Sequence, residues 1–346
     1  MRKIKVGILG ATGMVGQRFI QLLENHPWFD ITELCASEKS AGKTYEEVMD
    51  GRWKLETPIP VDVGALEVKE CRPNIDCKIV FSALDSIVAG EIEKEFAKSG
   101  YIVSSNSRNH RMEQDVPLLI PEVNPEHLSA VKTQRYGKGF IVTNPNCSVI
   151  GLVLALKPLY DSFGLESVFV TTMQALSGAG YPGVASLDII DNVVPYISDE
   201  EKKIESESLK ILGRFENNNF KYADINLSAQ CNRVNVKDGH LEGVNVKLNK
   251  NADVDDIVKA FRNFNPLKNL NLPFAPNPPI IVKEEIDRPQ PRYDRNLGNG
   301  MVCVVGRIRK CPILDFKFLV LSHNTIRGAA GAAILNAELM KVKNYI

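Results

Sequence analysis

A glycine-rich turn near the N-terminus constrains the fold of this chain more than any other feature. Residues 4–9 alternate as a buried strand does, the sequence GATGMVG follows at residues 10–16, and residues 17–25 have the apolar spacing of an amphipathic helix. Glycines between a strand and a helix let the backbone approach a pyrophosphate, whose charge then lies at the helix N-terminus. A second apolar strand, residues 31–36, follows at the distance expected for a βαβ unit. The pattern favours a dinucleotide site over a purely structural turn, with contacts from Gly10, Thr12, Gly13, Met14 and Val15.

The residues after the second strand indicate which dinucleotide is bound. An NAD site usually carries Asp or Glu there to bind the ribose 2′-hydroxyl, but this chain has SEKSAGK at residues 37–43. Hydroxyl and ammonium groups suit a 2′-phosphate, so we predict NADP as the cofactor, with Ser37, Lys39 and Ser40 in contact. Glu38 keeps NAD open, because it could reach the ribose, and a solvated polar loop is the other interpretation.

Further strands extend the βαβ pattern through the first half of the chain. Residues 78–84 and 101–106 have the character of buried strands, and a helix is predicted between them over residues 86–99. This alternation predicts an α/β protein with a Rossmann-type, doubly wound sheet, whose ligands lie outside the carboxyl ends of the strands. Ser82 and Cys147 would both emerge at that edge, and we include Ser82 among the cofactor contacts.

Cys147 lies between a predicted strand, residues 140–142, and a predicted helix, residues 149–160. The free N–H groups and the positive dipole end of a helix favour a thiolate, which is the nucleophilic form of cysteine. On local grounds alone a small buried hydrophobic residue beside a turn is the commoner interpretation. The neighbouring motifs favour the nucleophile.

Length and composition limit the class of protein. A chain of 346 residues exceeds what one hydrophobic core usually serves, so two domains are expected. Lys plus Arg equals Asp plus Glu at 42 each, which argues against nucleic acid or an anionic membrane surface as partner. The seven cysteines show no spacing typical of zinc or of a disulfide framework, so no metal is predicted. The absence of a signal peptide or apolar span favours a cytoplasmic location.

The pattern changes after residue 160 to alternating strands with short turns, as in antiparallel sheets. The predicted strands cover residues 165–175, 223–236, 241–248, 301–309 and 314–322, with helices over 204–212 and 253–261. We expect an N-terminal NADP-binding domain, 1–146, and an α+β catalytic and dimerisation domain, 147–324, with a mixed, largely antiparallel sheet. The helix within 325–346 is rich in small residues and is expected to complete the first domain.

A cysteine nucleophile needs a partner for its protons, and His240 is the best of the five histidines. Gly239 could permit a turn that directs His240 inward, together with Arg233. A histidine in a surface turn is the alternative. Basic residues near Arg111 follow the predicted sheet edge and could hold an anionic group, at even odds with a solvated loop.

Six segments together resemble aspartate-semialdehyde dehydrogenase in its archaeal and fungal branch. They are Gly10 to Gly13, Ser37 to Lys43, Asn144 to Cys147, Gln174 to Gly180, Arg233 to His240 and Asn324 to Gly331, and they follow one another in the family's order over nearly the whole chain. The resemblance implies NADPH-dependent reduction of L-aspartyl 4-phosphate to L-aspartate 4-semialdehyde and phosphate, a step towards lysine, threonine and methionine. It also implies a homodimer or homotetramer.

The family's roles can be assigned where its motifs match. The resemblance implies that Cys147 forms an acyl-thioester and that His240 is the acid/base. It further implies that Arg233 binds the substrate carboxylate, Glu200 its ammonium group, and that Gln174 orients it. The chemistry agrees, because a planar guanidinium bonds a carboxylate through two N–H groups.

The resemblance also implies contacts to phosphate and nicotinamide. Arg111 and Lys203 would bind phosphate, while Ser177, Gly178 and Asn324 would lie at the nicotinamide. Lys203 follows Glu200 by three positions, so both can face one pocket from a single helix face. An ordinary exposed ion pair is the alternative for those two residues.

Other functions stay open at this point. Malonyl-CoA reductase shares the thioester and NADPH chemistry, but its substrate has no ammonium group for Glu200 to bind. Glyceraldehyde-3-phosphate dehydrogenase places its histidine much nearer to its cysteine in sequence than His240 is to Cys147. A regulator that senses NADPH without turnover belongs to a different class, and the full set of reactive residues argues against it.

Overall fold

A computed structural model describes residues 2–346. Its first part contains six strands and four α-helices, and a 3-10 helix spans Pro125–Thr133. In chain order these are β1 Ile4–Leu9, α1 Met14–Leu23, β2 Phe29–Ala36, α2 Tyr45–Met49, α3 Val61–Gly64, β3 Val68–Glu70, β4 Ile79–Ser82, α4 Ser86–Lys98, β5 Ile102–Ser105 and β6 Phe140–Thr143.

The six strands form one sheet in the order β3-β2-β1-β4-β5-β6, and all neighbouring pairs run parallel. The order reverses next to β1, which places a crevice at the carboxyl ends of β1 and β4. Most buried residues of β1, β4 and β5 are apolar because helices cover both faces of the sheet, although Ser82, Ser104 and Ser105 are buried as well. The predicted Rossmann-type doubly wound sheet is confirmed.

The second part is built around a mixed sheet. Its elements are α5 Cys147–Phe163, β7 Leu165–Gln174, α6 Ser186–Ile189, α7 Glu200–Leu212, β8 Arg214–Glu216, β9 Asn219–Lys221, β10 Asn226–Arg233, β11 His240–Leu248, α8 Val254–Asn263, β12 Ile280–Lys283, α9 Pro291–Asp294, β13 Cys303–Lys310 and β14 Phe316–Ser322. The sheet order is β10-β7-β11-β14-β13-β12, and β8 and β9 form a separate hairpin. The predicted combination of a Rossmann-type sheet with a mixed, largely antiparallel one is confirmed.

Strand pairing in this sheet differs in part from the prediction of antiparallel neighbours with short turns. β10 does not pair with β11, which follows it in the chain, because β7 lies between them. β10 is parallel to β7, and β12 is parallel to β13. The three inner pairs are antiparallel. Parallel pairing brings the carboxyl ends of β7 and β10 together, and Gln174 therefore lies beside Arg233. This edge faces the crevice of the first sheet.

The C-terminal segment joins the two parts. Residues Ile326–Ala330 form a π-helix, which continues into α10, Gly331–Val342. Ala333, Leu335 and Leu339 of α10 are buried in the same apolar core as β1 and β4. The segment therefore packs on the first sheet. The domain limits, 1–146 and 147–324, stay a prediction.

Helix α5 supports the second sheet with an apolar face, because Val149, Val153 and Leu156 pack in the core with Val244 and Phe318. The first residue of α5 is Cys147, so this buried helix fixes the position of the cysteine. Across residues 2–346 no helix has the length and apolar character needed to cross a membrane. In the same range, no cluster of three or more His, Cys, Asp or Glu side chains is arranged to hold a metal ion.

Candidate active site

The glycine turn after β1 is shaped by close backbone contacts. Gly10 has a φ of +78°, and a Cβ there would lie 2.7 Å from the carbonyl oxygen of Ala83. A Cβ on Gly16 would lie 2.3 Å from the oxygen of Gly10, so α1 can approach the turn only with glycine there. Gly13 precedes the helix without a side-chain cap. The first N–H groups of α1 are therefore available to an anion.

Two adjoining cavities extend from this turn, with volumes of about 730 Å³ and 740 Å³. Both are lined by Gly10, Thr12 and Ser37, so they form one elongated site. Lys39 lines the first cavity and Gly13 the second. A glycine cradle at a helix N-terminus, with a lysine and a hydroxyl beyond the second strand, fits a phosphorylated dinucleotide.

Among the predicted cofactor residues, Ser40 and Ser82 line neither these cavities nor the cleft beside Cys147. Ser40 is buried in the turn after β2, where its N–H donates to the Ser37 carbonyl oxygen at 2.8 Å. Ser82 is fully buried at the end of β4. Both residues lie near the carboxyl ends of their strands, as the sequence pattern indicates. The direction of their side chains depends on the packing around them, which the pattern does not reveal.

Several residues that line the first cavity were not predicted. Leu84, Val88 and Ile92 supply an apolar wall, and Arg72 a second cation. Val88 and Ile92 are one helical turn apart on α4, a spacing that could have identified them. Arg72 lies beyond β3, whose short and irregular surroundings gave no signal.

Cys147 begins α5 and faces His240. The side chain of Asn146 caps the helix by accepting a hydrogen bond from the N–H of Ser148 at 2.9 Å. The Sγ atom of Cys147 lies 3.2 Å from Nε2 of His240. The N–H of Ala175 donates to Nδ1 of the same ring at 3.0 Å. Because Nδ1 accepts this hydrogen bond, the ring proton is on Nε2 and points to the sulfur.

Burial dominates the electrostatics of this pair. Burial, with Glu200 next, raises the pKa of Cys147 to about 12, although Arg111 and Arg233 oppose the shift. Burial, with Arg233 next, lowers the pKa of His240 to about 3. A helix was predicted from residue 149 and begins at Cys147 itself, but the residues around the sulfur favour the thiol. The expected thiolate therefore requires a further contribution, because desolvation outweighs the helix dipole here.

Cys147 opens onto a cleft of about 540 Å³ that also contains Arg233, Glu200 and Lys203. Arg233 donates from Nη1 to the carbonyl oxygen of Ala175 at 2.7 Å. Glu200 accepts a hydrogen bond from Nδ2 of Asn146 at 2.8 Å, and Lys203 donates to Glu200 at 3.2 Å. Glu200 and Lys203 thus form an ion pair that lines the cleft, and because Glu200 is buried the pair is not the exposed one of the alternative interpretation.

Arg111 lines the cleft, whereas Gln174 lies outside its lining. Gln174 is buried at the end of β7, and its Nε2 donates to Oγ1 of Thr172 at 3.3 Å. Arg111 lines the cleft and donates from Nη1 to Oε1 of Glu207 at 3.0 Å and from Nη2 to the oxygen of Asn106 at 2.9 Å. Its buried Nε has no hydrogen-bond partner. Glu207 was not predicted.

The predicted nicotinamide residues line the same cleft. Asn324 donates from Nδ2 to Oγ of Ser177 at 2.7 Å and accepts from the N–H of Gly239 at 2.8 Å. Gly178 is beside them, since a Cβ there would lie 3.0 Å from Cε1 of His240. Met14 and Val15 line both this cleft and the second dinucleotide cavity. A dinucleotide can therefore extend from the glycine turn to the cysteine.

The π-helix closes the cleft behind Cys147. A Cβ on Gly328 would lie 2.8 Å from the Cβ of Cys147, so the helix backbone packs directly on Cys147. Arg327 is fully buried and donates from both Nη atoms to Glu122, at 2.9 and 2.7 Å. This bidentate pair holds the π-helix in place, and π-helical turns are frequent at functional sites.

Comparisons with known proteins identify the family. The model of the semialdehyde dehydrogenase NAD binding domain matches residues 5–131, and that of the semialdehyde dehydrogenase dimerisation domain matches residues 156–327. Aspartate-semialdehyde dehydrogenase of Archaeoglobus fulgidus is 54% identical over 98% of both chains. The chain belongs to the aspartate-semialdehyde dehydrogenase family. The resemblance inferred from the sequence motifs is confirmed.

Other relatives of the family agree. The enzyme of Cryptococcus neoformans is 49% identical over 99% of this chain and 98% of its own. The crystal structure of aspartate semialdehyde dehydrogenase with NADP from Candida albicans is 46% identical and has a TM-score of 0.92 over 99% of this chain and 100% of its own. Aspartate semialdehyde dehydrogenase II of Vibrio cholerae, solved in complex with ASA, is 27% identical with a TM-score of 0.80 over 100% of both chains.

Proposed function

We propose that this chain catalyses the reversible NADPH-dependent reduction of L-aspartyl 4-phosphate to L-aspartate 4-semialdehyde and phosphate. The observation that carries the proposal is the pairing of Cys147 with His240 in a cleft that continues into the dinucleotide cavities. Membership of the family supports the same reaction. The crystal structure of the Candida albicans relative, solved with NADP, supports NADP as the cofactor.

The residues of the first sheet would hold the cofactor, which supplies a hydride to the acyl carbon when it is bound. The N–H groups at the start of α1 suit the pyrophosphate, and Gly10 lets the backbone approach it. Ser37 and Lys39 suit a 2′-phosphate. Ser177 and Asn324 hydrogen-bond each other where the cleft meets the dinucleotide cavity, which favours a nicotinamide contact.

The substrate's charged groups match the cleft. We assign the α-carboxylate to Arg233, the ammonium group to Glu200, and the orienting contact to Gln174. Arg111 and Lys203 would bind the phosphate from the other side. Malonyl-CoA reductase is the second candidate, but its substrate has no ammonium group, which would leave Glu200 without a ligand partner.

The first chemical step forms a thioester. Cys147 attacks the acyl carbon, and we infer that its own N–H, at the start of α5, stabilises the oxyanion, because the N–H groups of Ser148 and Val149 already donate to the Asn146 side chain. We infer that the sulfur proton leaves with the phosphate, because the imidazole nitrogen that faces the sulfur already carries a proton. The side chain of Asn146 is engaged with Glu200 and with the helix cap, so its main contribution is to hold this turn.

The second step reduces the thioester. Hydride addition produces a tetrahedral oxyanion on Cys147, its collapse releases the aldehyde and a thiolate, and the thiolate takes up a proton from water to restore the thiol. We infer that neutral His240 acts as a hydrogen-bond donor through Nε2, first to the oxyanion and then to the departing sulfur. Ala175 keeps the ring in this tautomer. This account refines the predicted acid/base role, because no step requires His240 to take a proton from sulfur.

A steady-state assay tests the reaction. Purified protein should reduce NADP when given aspartate semialdehyde and phosphate, and should show little activity without phosphate. In parallel, oxidation of NADPH would be measured with malonyl-CoA, and NAD would be compared with NADP. Turnover of malonyl-CoA alone would reject the assignment in favour of the reductase. NADPH binding without turnover of either substrate would indicate the sensing regulator.

We also propose a cytoplasmic homodimer formed through the second sheet. Its edge strand β10 lies near a segment with exposed apolar side chains, among them Leu187, Ile190 and Tyr196. A pairing between Val194 and Arg233 links that segment to the strand that carries a site residue. The family's dimerisation domain covers this region. The seven free cysteines suit a reducing compartment. Light scattering on the purified protein would separate a dimer from the tetramer.

A further inference from the structure

Helix α7 presents a row of charged side chains to the cleft. Glu200 and Lys203 line the cleft, and Glu207 follows one turn later on the same helix face. The side chain of Glu207 is almost completely buried, with 2% exposure. A buried carboxylate is unfavourable unless donors satisfy it, so its partners identify its role.

The two oxygens of Glu207 have different partners. Oε1 accepts a hydrogen bond from Nη1 of Arg111 at 3.0 Å. Oε2 accepts one from the backbone N–H of Asn146 at 2.7 Å. Asn146 is the cap of α5 and immediately precedes Cys147. One carboxylate therefore connects a cation of the cleft with the peptide beside the nucleophile.

The geometry of Arg111 shows what this connection achieves. Nη1 is bound to Glu207 and Nη2 to the carbonyl oxygen of Asn106, so two opposed contacts fix the plane of the guanidinium. A guanidinium has five N–H donors, so three remain for a ligand, and one of them, on Nε, is buried without a partner. An anion with several oxygens is the ligand that such a donor set fits.

The supporting loop is held from the same helix. Lys210 is fully buried and donates from Nζ to the carbonyl oxygens of Arg111, Glu113 and Val116 at 2.7, 2.7 and 2.9 Å. Glu207 therefore acts on the Arg111 side chain, while Lys210 acts on its backbone. Because Lys210 holds the backbone of this loop, Glu207 can be substituted while the loop keeps its conformation.

We propose that Glu207 is the positioning residue for the phosphate group in this site. It holds the guanidinium of Arg111 at the angle needed for phosphate and, through Asn146, sets the distance between that phosphate and Cys147. The inference rests on the proposed function, because it takes the anion bound by Arg111 to be the phosphate of the acyl phosphate or the inorganic phosphate of the reverse reaction.

The test is steady-state kinetics of Glu207→Gln in the phosphorylating direction, with inorganic phosphate as the varied substrate. Glutamine has only one acceptor oxygen, so one of the two donors loses its partner. We expect the KM for phosphate to rise about 10-fold or more, which is the usual scale for a hydrogen bond to a charged group. The KM for aspartate semialdehyde should stay within about twofold of wild type.

The matched control is Glu205→Gln on the same helix. Glu205 also accepts a backbone N–H, that of Ala229 at 3.1 Å, but it does not contact Arg111. The KM of the Glu205→Gln variant for phosphate should equal that of wild type. Equal effects of the two substitutions would assign Glu207 a general structural role and would overturn the proposal.

A double mutant tests whether Glu207 acts through Arg111. Glu207→Gln combined with Arg111→Gln should weaken phosphate binding no more than Arg111→Gln alone, whereas additive losses would overturn the proposal. If Glu207→Gln does not fold, Glu207→Asp decides, because it keeps the charge but reaches only one donor. An unchanged KM for phosphate in that variant would reject the inference. Wild-type turnover tests the proposed function separately.

Discussion

The two walls of the active-site crevice are built by opposite means. The wall at the first sheet is made by backbone: Gly10 and Gly16 leave room for close approach, and helix α1 offers its N–H groups without a side-chain cap. The second wall, around Cys147, is made by buried side chains whose charges are bound to one another, as in the chain from Arg111 after β5 through Glu207 on α7 to Asn146 after β6.

This difference follows from what each wall binds. A pyrophosphate is an extended anion that backbone dipoles can bind in one orientation, so few side chains are needed. A small substrate with an ammonium group, a carboxylate and a phosphate needs separate charges at fixed distances. We therefore expect substitutions that remove a side-chain group to reduce activity most on the second wall. On the first wall, we expect the largest effect from substitutions that add atoms to a glycine.

The largest expected effect is that of Cys147→Ala on the second wall. Without the sulfur no thioester forms, so kcat should fall by about 10⁴-fold or more, as for other lost nucleophiles. Binding of NADPH, measured by quenching or transfer of its fluorescence, should stay within about twofold of wild type because the first wall is unchanged. Residual activity near the wild-type level would contradict the assignment of Cys147 as the nucleophile.

The second largest effect is expected from substitution of His240. Replacement by alanine should lower kcat by about 100- to 1000-fold, the usual scale for one lost oxyanion donor. Replacement by glutamine keeps an N–H donor and should retain more activity than alanine. A role as general base predicts equal losses, so the ratio of the two variants separates the accounts.

The pH dependence of kcat checks the same point. The pKa of His240 is lowered from 6.5 to about 3, so the ring stays neutral throughout the usual assay range. The histidine therefore supports the fold fully above pH 6.5, and this contribution is lost as the pH falls towards 3. An acidic limb near pH 6.5 in wild type that disappears in the glutamine variant would contradict the neutral donor.

On the first wall, Gly10→Ala tests the role of backbone approach. The added Cβ would lie 2.7 Å from the Ala83 oxygen, at a φ of +78° that alanine rarely adopts. We expect the KM for NADP to rise by about 10-fold, together with a loss of stability of about 1–3 kcal/mol. Gly100→Ala is the control, because Gly100 has a φ of +93° but open space around it. If both variants had the same KM for NADP, backbone strain alone, and not the contact with Ala83, would account for the effect of Gly10→Ala.

The smallest effect is expected for Lys39→Ala, an exposed side chain on the first wall. Exposed ion pairs contribute up to about 1 kcal/mol, so the KM for NADP should rise by no more than about fivefold. The KM for NAD should not change, because NAD lacks the 2′-phosphate. A similar loss with both cofactors would place Lys39 elsewhere than at that phosphate.

The sequence predicted the parts of this molecule that depend on local signals. The glycine turn, strand β2 and the helix that follows Cys147 each combine a periodicity with a residue that ends or begins an element. Because parallel strands end at a common edge, these signals also predicted that Cys147 lies near the dinucleotide cavities. The domain limits and the individual site roles stay predictions.

Other features depend on contacts between distant residues. The place of β10 beside β7 follows from packing of the whole sheet, which short turns do not determine. The run of small residues at 326–330 predicts an ordinary helix, because periodicity does not reveal the wider turn of a π-helix. Glu207 belongs to a helix with charges on several faces, and only its partners Arg111 and Asn146 distinguish it.

The position of the C-terminal segment has a consequence for biosynthesis. Gly328 packs on Cys147, and α10 fills the core beneath the first sheet, so one late segment completes both walls. A growing polypeptide that has not yet reached residue 326 has an uncovered apolar core and a thiol without its final surroundings. We expect the protein to acquire its native shape only after translation of this segment, with chaperones protecting the emerging chain until then.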